Sequence, residues 1–389
     1  MNDLKYIATS SAQNGICRLL AQKILFPLSS VLFIMSWSVQ AMAVDTPKVV
    51  STQIITDQLV NPWGIALLPN NEFLVTERPG HITRINAAGE LVRLSGLPEV
   101  VAERQGGVLG LALDPNFASN NLIYVCLVGA DSDGKTGSEV YQATLNATSL
   151  TKVTAIFKAK PKAKTGFHFG CRVAFDVQQS YFISLGDSYS GMDQTQTLDN
   201  HYGKVVRILR DGSPHPENAF LDSAAPEIYS IGHRNVQGLM WHPAQQAMWA
   251  HEHGPKGGDE LNRLTVGANY GWPTITYGIN YNGDIISDKT AAPGLEQPLT
   301  YWVPSIAPSG MALYGDDLLV GSLKFRHLRY VKLNGAQALE QTELLTELDG
   351  RIRDVVVAAD HTIYVITDEP QGRLIAVKLA QAPLNNLSH

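Results

Sequence analysis

The residues best placed to do chemistry are His168, inside the run Gly166 to Arg172, and Asp187, which follows Gly186 about twenty residues on. Two apolar runs lie between them, Val173 to Phe175 and Tyr181 to Leu185. Read as adjacent antiparallel strands, these runs form a hairpin whose open end brings His168 and Asp187 together. A neutral imidazole beside a carboxylate is a general base: the ring takes a proton and the carboxylate stabilises the imidazolium. The plainer alternative is a histidine at a strand start and an acidic turn after a hairpin.

Other candidates cluster farther along. His233, Arg234, Asn235 and Gln237 precede one apolar run, and His251 to Glu260 follow the next. Glycines beside Pro255 and two carboxylates let backbone carbonyls turn toward a hard cation, and calcium takes six to eight oxygens. The alternatives are an ordinary glycine-rich loop or, from His251 and His253, zinc. Lys324 ends a strand, and Arg351 and Arg353 flank Ile352, so a strand period of two puts both arginines on one face. Three converging cations suggest a ligand with several carboxylates or phosphates; surface charges paired with local acids are the alternative. No P-loop, dinucleotide-binding glycine fingerprint or nucleophile elbow is present.

What must position these groups is a repeat. Six stretches share a pattern of apolar strand, polar turn and second apolar strand, beginning at Gly64, Gly110, Arg172, Gly238, Gly310 and Asp354. Their starts are about 44 to 72 residues apart, which is blade-sized with insertions. The pattern predicts an all-β, single-domain, six-bladed propeller, with two sandwich domains as the alternative. Val49 to Ile55 alternates like a strand and would complete the last blade. Second strands end in polar sequence, including Gly186-Asp187, His251 to Pro255 and Thr367-Asp368, so these groups would gather at one mouth of the ring.

The first 43 residues form a separate unit. Arg18 and Lys23 precede a mainly apolar run from Ile24 to Val39, and Ala41 to Ala43 supply a small-residue cleavage site. This predicts a secretory signal over 1–43, a mature domain over 44–389 and an exported, periplasmic protein; a retained N-terminal anchor is the alternative. Lys5, Arg18 and Lys23 against Asp3 give the leader +2, so its loss takes the net charge from −6 to −8. That balance argues against broad nucleic-acid or anionic-membrane binding, and once the leader is cleaved no stable membrane insertion is expected. Cys126 and Cys171 remain after Cys17 leaves. They are too few for a disulfide scaffold, and although an export compartment permits a bond between them, two free thiols are expected.

Six motifs occur in register: Glu103 to Gly110, His168 to Arg172, Gly232 to Gly238, Glu252 to Glu260, Asn269 to Pro273, and Arg351 to Asp354. Together they resemble the soluble pyrroloquinoline quinone (PQQ)-dependent aldose sugar dehydrogenases of the glucose/sorbosone dehydrogenase family, over about Leu59 to Lys378. The resemblance implies a six-bladed propeller that oxidises aldoses with PQQ and calcium and passes electrons to an unidentified acceptor. It implies His168 as base, Asp187 as its orienting carboxylate and Arg234 as stabiliser of charge on the reduced quinone. Gln105, Arg234, Asn235, Tyr281, Lys324, Arg326, Arg351 and Arg353 then match cofactor or pocket positions. The carbonyls of Gly254 and Pro255 match a calcium site at the quinone, and Glu260 and Tyr270 a second, structural calcium site. Relatives commonly carry glycine where Cys171 stands, and a more polar pair in place of Phe325-Arg326. A sugar- or partner-binding propeller without turnover and a calcium-dependent lactonase are the competing functions.

Overall fold

The computed structural model describes residues 47–380; the predicted signal segment lies outside them. Twenty-four strands form six four-stranded antiparallel sheets. Five sheets are consecutive in sequence. They run from Pro62–Leu67 to Leu91–Arg93, Val108–Leu113 to Leu150–Lys158, Val173–Phe175 to Ile228–Ser230, Val236–His242 to Thr300–Trp302, and Pro308–Tyr314 to Gln337–Leu344. The sixth takes Ile352–Val357, Ile363–Thr367 and Gly372–Leu379, and its outer strand is the N-terminal Val49–Leu59. That strand pairs antiparallel with Gly372–Leu379, Val49 opposite Leu379 and Leu59 opposite Gly372, so the ring closes as the sequence predicts. The first strands of neighbouring blades touch all the way round. This is a six-bladed propeller.

Burial explains the strand types. Second strands such as Tyr181–Ser184 and Ala247–Glu252 are buried throughout, because each lies between two strands of its blade and between two blades. The outer strand Gln337–Leu344 is largely polar and open. Six apolar clusters fill the gaps between adjacent blades; Leu74, Val108, Ile123 and Val125, for example, join the first two. Each large side chain fully removed from water there contributes roughly 1.5–3 kcal/mol. Among the described residues no helix is long and apolar enough to cross a membrane.

One expectation is corrected. Cys126 and Cys171 are not free thiols: they form a disulfide, with Cα atoms 5.6 Å apart and both residues fully buried. Sequence adjacency of blades two and three did not fix how near these positions come. Cys171 adopts a left-handed φ of +77°, and Gly110 makes room, since a Cβ there would lie 2.0 Å from the Cys171 carbonyl oxygen. The result ties the second strand of blade two to the loop carrying His168.

Candidate active site

The hairpin forms with Val173 opposite Ile183 and Phe175 opposite Tyr181. Backbone bonds from Cys171 N–H to the Ser184 carbonyl (2.7 Å) and from Ser184 N–H to the Arg172 carbonyl (3.0 Å) extend it toward the mouth. Its open end brings His168 Nδ1 to 2.7 Å from Asp187 Oδ1. Gly186 is required here, because a Cβ would stand 2.1 Å from the His168 carbonyl oxygen. His168 itself has φ +53°, and Ser188 and Tyr189 at the other end are also left-handed. Such backbone costs of order 1 kcal/mol or more per residue and concentrates where surrounding bonds over-determine it.

Those bonds are present. Asp187 Oδ1 also accepts the Tyr189 N–H (2.8 Å), and Oδ2 accepts the indole N–H of Trp272 (3.0 Å). Gln105 Oε1 accepts the His168 N–H (2.9 Å). The carboxylate holds the proton on Nδ1 and leaves Nε2 as the acceptor, since no hydrogen bond among the described residues engages it. Burial lowers the imidazole below its ordinary value; Asp187 opposes this and the charge of Arg234 reinforces it. The ring is therefore neutral at pH 7.

Beside the dyad, over the ring axis, lies a cavity of about 440 Å³ lined by Trp63, Arg78, Gln105, Asn235, Gln237, Lys324, Arg326, Arg351, Arg353 and Asp368, among others. Five cations face one carboxylate. Arg351 Nη2 and Arg353 Nη2 both donate to Asp368 Oδ2, at 3.2 and 2.6 Å. Burial pushes the Asp368 carboxyl up, but Arg353, Arg351 and Arg78 outweigh it and bring it down to about 2. Among the described residues the Nε groups of Arg78 and Arg353 are buried without a partner. Unpaired buried donors around a cationic hollow are the complement of a polyanion.

Not every expected residue enters that cavity. Gln105, Asn235, Lys324, Arg326, Arg351 and Arg353 do. His168 lies just behind its Phe169-Gly170 wall and lines a smaller void with Gly186, Ser188 and Tyr202. Arg326 sits at the open edge, where it pairs with Asp349 (2.6 Å). Tyr281 is 58% exposed, with its ring centroid 5.9 Å from the Arg234 guanidinium carbon. Arg234 belongs to an adjoining small void: Nη1 donates to the carbonyls of His253 (3.1 Å) and Gly254 (2.9 Å), and the guanidinium lies 5.4 Å from the Trp272 ring centre.

The same void is lined by Gly254, Glu260 and Tyr270. Tyr270 spends its hydroxyl on the Arg263 carbonyl (2.7 Å), which leaves only its backbone oxygen for a metal. Burial, and then the negative charge of Glu252, push the Glu260 carboxyl well above its usual range. A half-buried carboxyl group beside a second one, without an ion pair among the described residues, fits a cation. Beside the imidazole of His253, the void's lining offers backbone and carboxylate oxygens, the donors calcium takes. Among the described residues no group of three or more His, Cys, Asp or Glu could hold a metal by itself. His253 Nε2 meets the Pro308 carbonyl (2.7 Å) and the ring of His251 is buried, so among the described residues the zinc alternative finds no ligand cluster.

Asp368, which bridges Arg351 and Arg353, and Trp272, which donates to Asp187, were given no role by residue chemistry alone. Asp368 follows a second strand, as Asp187 does, and the repeat placed it at the mouth without assigning it to the two arginines. For Trp272 no sequence signal marks the long-range bond to Asp187.

The sequence profile of the Glucose / Sorbosone dehydrogenase family matches residues 59–376. Aldose sugar dehydrogenase YliI of Escherichia coli (strain K12) is 39% identical over 348 residues, which is 85% of this chain and 93% of that protein. The crystal structure of the soluble aldose sugar dehydrogenase from Escherichia coli in its apo form superposes with a TM-score of 0.82 at 38% identity, covering 84% of this chain and all but 1% of that one. The PQQ-bound aldose sugar dehydrogenase of Streptomyces coelicolor superposes with a TM-score of 0.74 at 28% identity, covering 86% of this chain and 98% of that one. Fold and site thus define a propeller dehydrogenase, and the chain belongs to the glucose/sorbosone dehydrogenase family.

Proposed function

We propose that this enzyme oxidises aldose sugars at C1 to the lactone, with PQQ and calcium bound at the mouth of the propeller. His168 Nε2 accepts the proton of the C1 hydroxyl, while Asp187, held by Tyr189 and Trp272, keeps the other ring nitrogen protonated and stabilises the imidazolium. Lys324, Arg351 and Arg353 bind the cofactor carboxylates, and Gln105 and Asn235 present polar groups to the same cavity. Arg234 is placed to stabilise negative charge beside the Gly254 carbonyl. The carbonyls of Gly254 and Pro255 would hold the calcium at the cofactor, and Glu260 with the Tyr270 carbonyl a structural one. PQQ supplies a two-electron quinone acceptor for the C1 hydride, and calcium polarises it.

The observation that carries this reading is a buried, neutral imidazole, oriented by a carboxylate at 2.7 Å, next to a cavity with five cations and one acid. The test is dye reduction by a panel of aldoses with purified apo-protein. Reduction that needs both added PQQ and calcium is expected. Sugar binding without reduction, or lactone hydrolysis independent of PQQ, would contradict it. The Cys126–Cys171 disulfide supports export to an oxidising compartment such as the periplasm. Mass spectrometry of protein from its host should find a terminus near Val44, and an intact Met1 in soluble protein would refute cleavage.

A further inference from the structure

Each sugar oxidised leaves two electrons in the site, and turnover requires that they leave the protein. Arg78, Asp187, His253, Lys324 and Asp368 all follow the second strands of their blades and so gather at the mouth. In blade two the second strand ends at Ala130, and no residue there enters the cavity; instead the segment 158–164 folds onto that end. Thr136 and Ala163 exchange backbone hydrogen bonds of 2.7 and 3.0 Å, and Lys162 Nζ donates to the Gly129 carbonyl (3.0 Å).

This segment holds four lysines in seven residues, in a chain of net charge −6. Lys158 and Lys162 share the buried carboxylate of Glu139, and Lys135 pairs with Asp133. Asp131 Oδ1 caps its own turn through the N–H groups of Asp133 and Lys135. Lys160 and Lys164 are exposed and make no salt bridge among the described residues, although the charge of Lys160 reaches the Glu227 carboxylate. A recess of about 550 Å³ opens between the Lys135 turn and the lysine segment. The inner side of the same segment touches the dyad's surroundings. Ala159 and Pro161 line the void that His168 and Ser188 share. The Lys160 N–H donates to His201 Nδ1 (2.9 Å), and Thr165 Oγ1 donates to the Ser188 carbonyl (2.6 Å).

We propose that this lysine surface, at the mouth end of blade two, docks an acidic one-electron carrier protein that reoxidises the reduced site. The inference rests on the dehydrogenase reading above. Conversion of an aldose to a lactone releases two electrons and two protons; two carriers take one electron each in successive dockings, and the protons pass to solvent. A basic patch speeds encounter with an acidic partner by roughly 10- to 1000-fold at low salt, and the gain falls as salt rises.

The test uses the enzyme loaded with PQQ and calcium at saturating aldose. Three acceptors are compared at low and high salt: an uncharged quinone, an acidic plastocyanin and a basic cytochrome c. Lys160→Glu/Lys164→Glu should reduce the uncharged quinone at the parent rate, which also reports correct folding. Its low-salt rate with plastocyanin should fall about tenfold or more, with a flatter salt dependence. Equal plastocyanin rates in parent and variant, or a parent that prefers basic cytochrome c at low salt, would overturn the docking inference alone. A parent that fails to reduce even the uncharged quinone would remove the dehydrogenase reading, and the docking site with it.

Discussion

The dyad and the cation-lined cavity lie side by side, yet they are completed to different degrees. Around the dyad the protein supplies the orienting partners: both Asp187 oxygens are bonded, and His168 is tied through Nδ1 and its backbone N–H. Among the described residues, the ring's Nε2 is left without a partner. In the cavity the balance is reversed, with Arg78 Nε and Arg353 Nε unpaired and one carboxylate for five cations. On the proposed reading the base is thus organised before anything binds, whereas the cavity's unbalanced charges await an anion. Proton abstraction and cofactor capture should therefore separate by mutation.

The largest expected effect is on the dyad. His168→Ala should lower kcat by about 10²–10⁴-fold, the usual scale for losing a general base, with PQQ affinity within a few-fold of the parent. Arg351→Ala/Arg353→Ala breaks the other half. Charge-assisted bonds are worth roughly 1.5–3 kcal/mol each, so PQQ affinity should fall about a hundredfold or more, read by titrating apo-protein at fixed calcium.

Smaller and more diagnostic is Trp272→Phe. It removes a donor from Asp187 Oδ2, which makes the carboxylate a stronger acceptor toward His168 and so raises the imidazole pKa. In the parent, burial lowers His168, so kcat/KM should hold at acidic pH and fall only below about 6.5. In the variant that acid limb should move to higher pH, with about a 3- to 10-fold loss of kcat, of the order of one hydrogen bond. An unmoved limb would mean that Trp272 only packs. The smallest catalytic effect is expected from Cys126→Ala/Cys171→Gly. Losing the crosslink should cost about 2–4 kcal/mol of stability in a thermal or urea melt while kcat stays within about twofold.

The fold was legible because each blade repeats an apolar strand, a turn and a second strand, and because Val49 to Ile55 alternates in a place where only ring closure gives it a partner. The hairpin reading of Val173 to Leu185 was enough to bring His168 to Asp187. Arg351 and Arg353 share a face, as strand periodicity requires, and Ile352 between them is fully buried in the core. Contacts between blades were not legible. Cys126 with Cys171, and Trp272 with Asp187, are 45 and 85 residues apart and meet only through the packing of neighbouring blades. The place of Tyr281 was equally hidden, since it lies on a long insertion between strands whose course no repeat dictates.

The most direct measurement is a PQQ titration of the parent, His168→Ala and Arg351→Ala/Arg353→Ala at fixed calcium, followed by turnover at saturating PQQ and aldose. Organisation into an independent base and cofactor cradle predicts two opposite failures. The histidine variant binds PQQ normally and stays at least about 100-fold slow at every concentration, whereas the arginine variant binds weakly and recovers much of its rate as PQQ saturates. Near-normal turnover by His168→Ala, or unchanged PQQ affinity in the arginine variant, would contradict it.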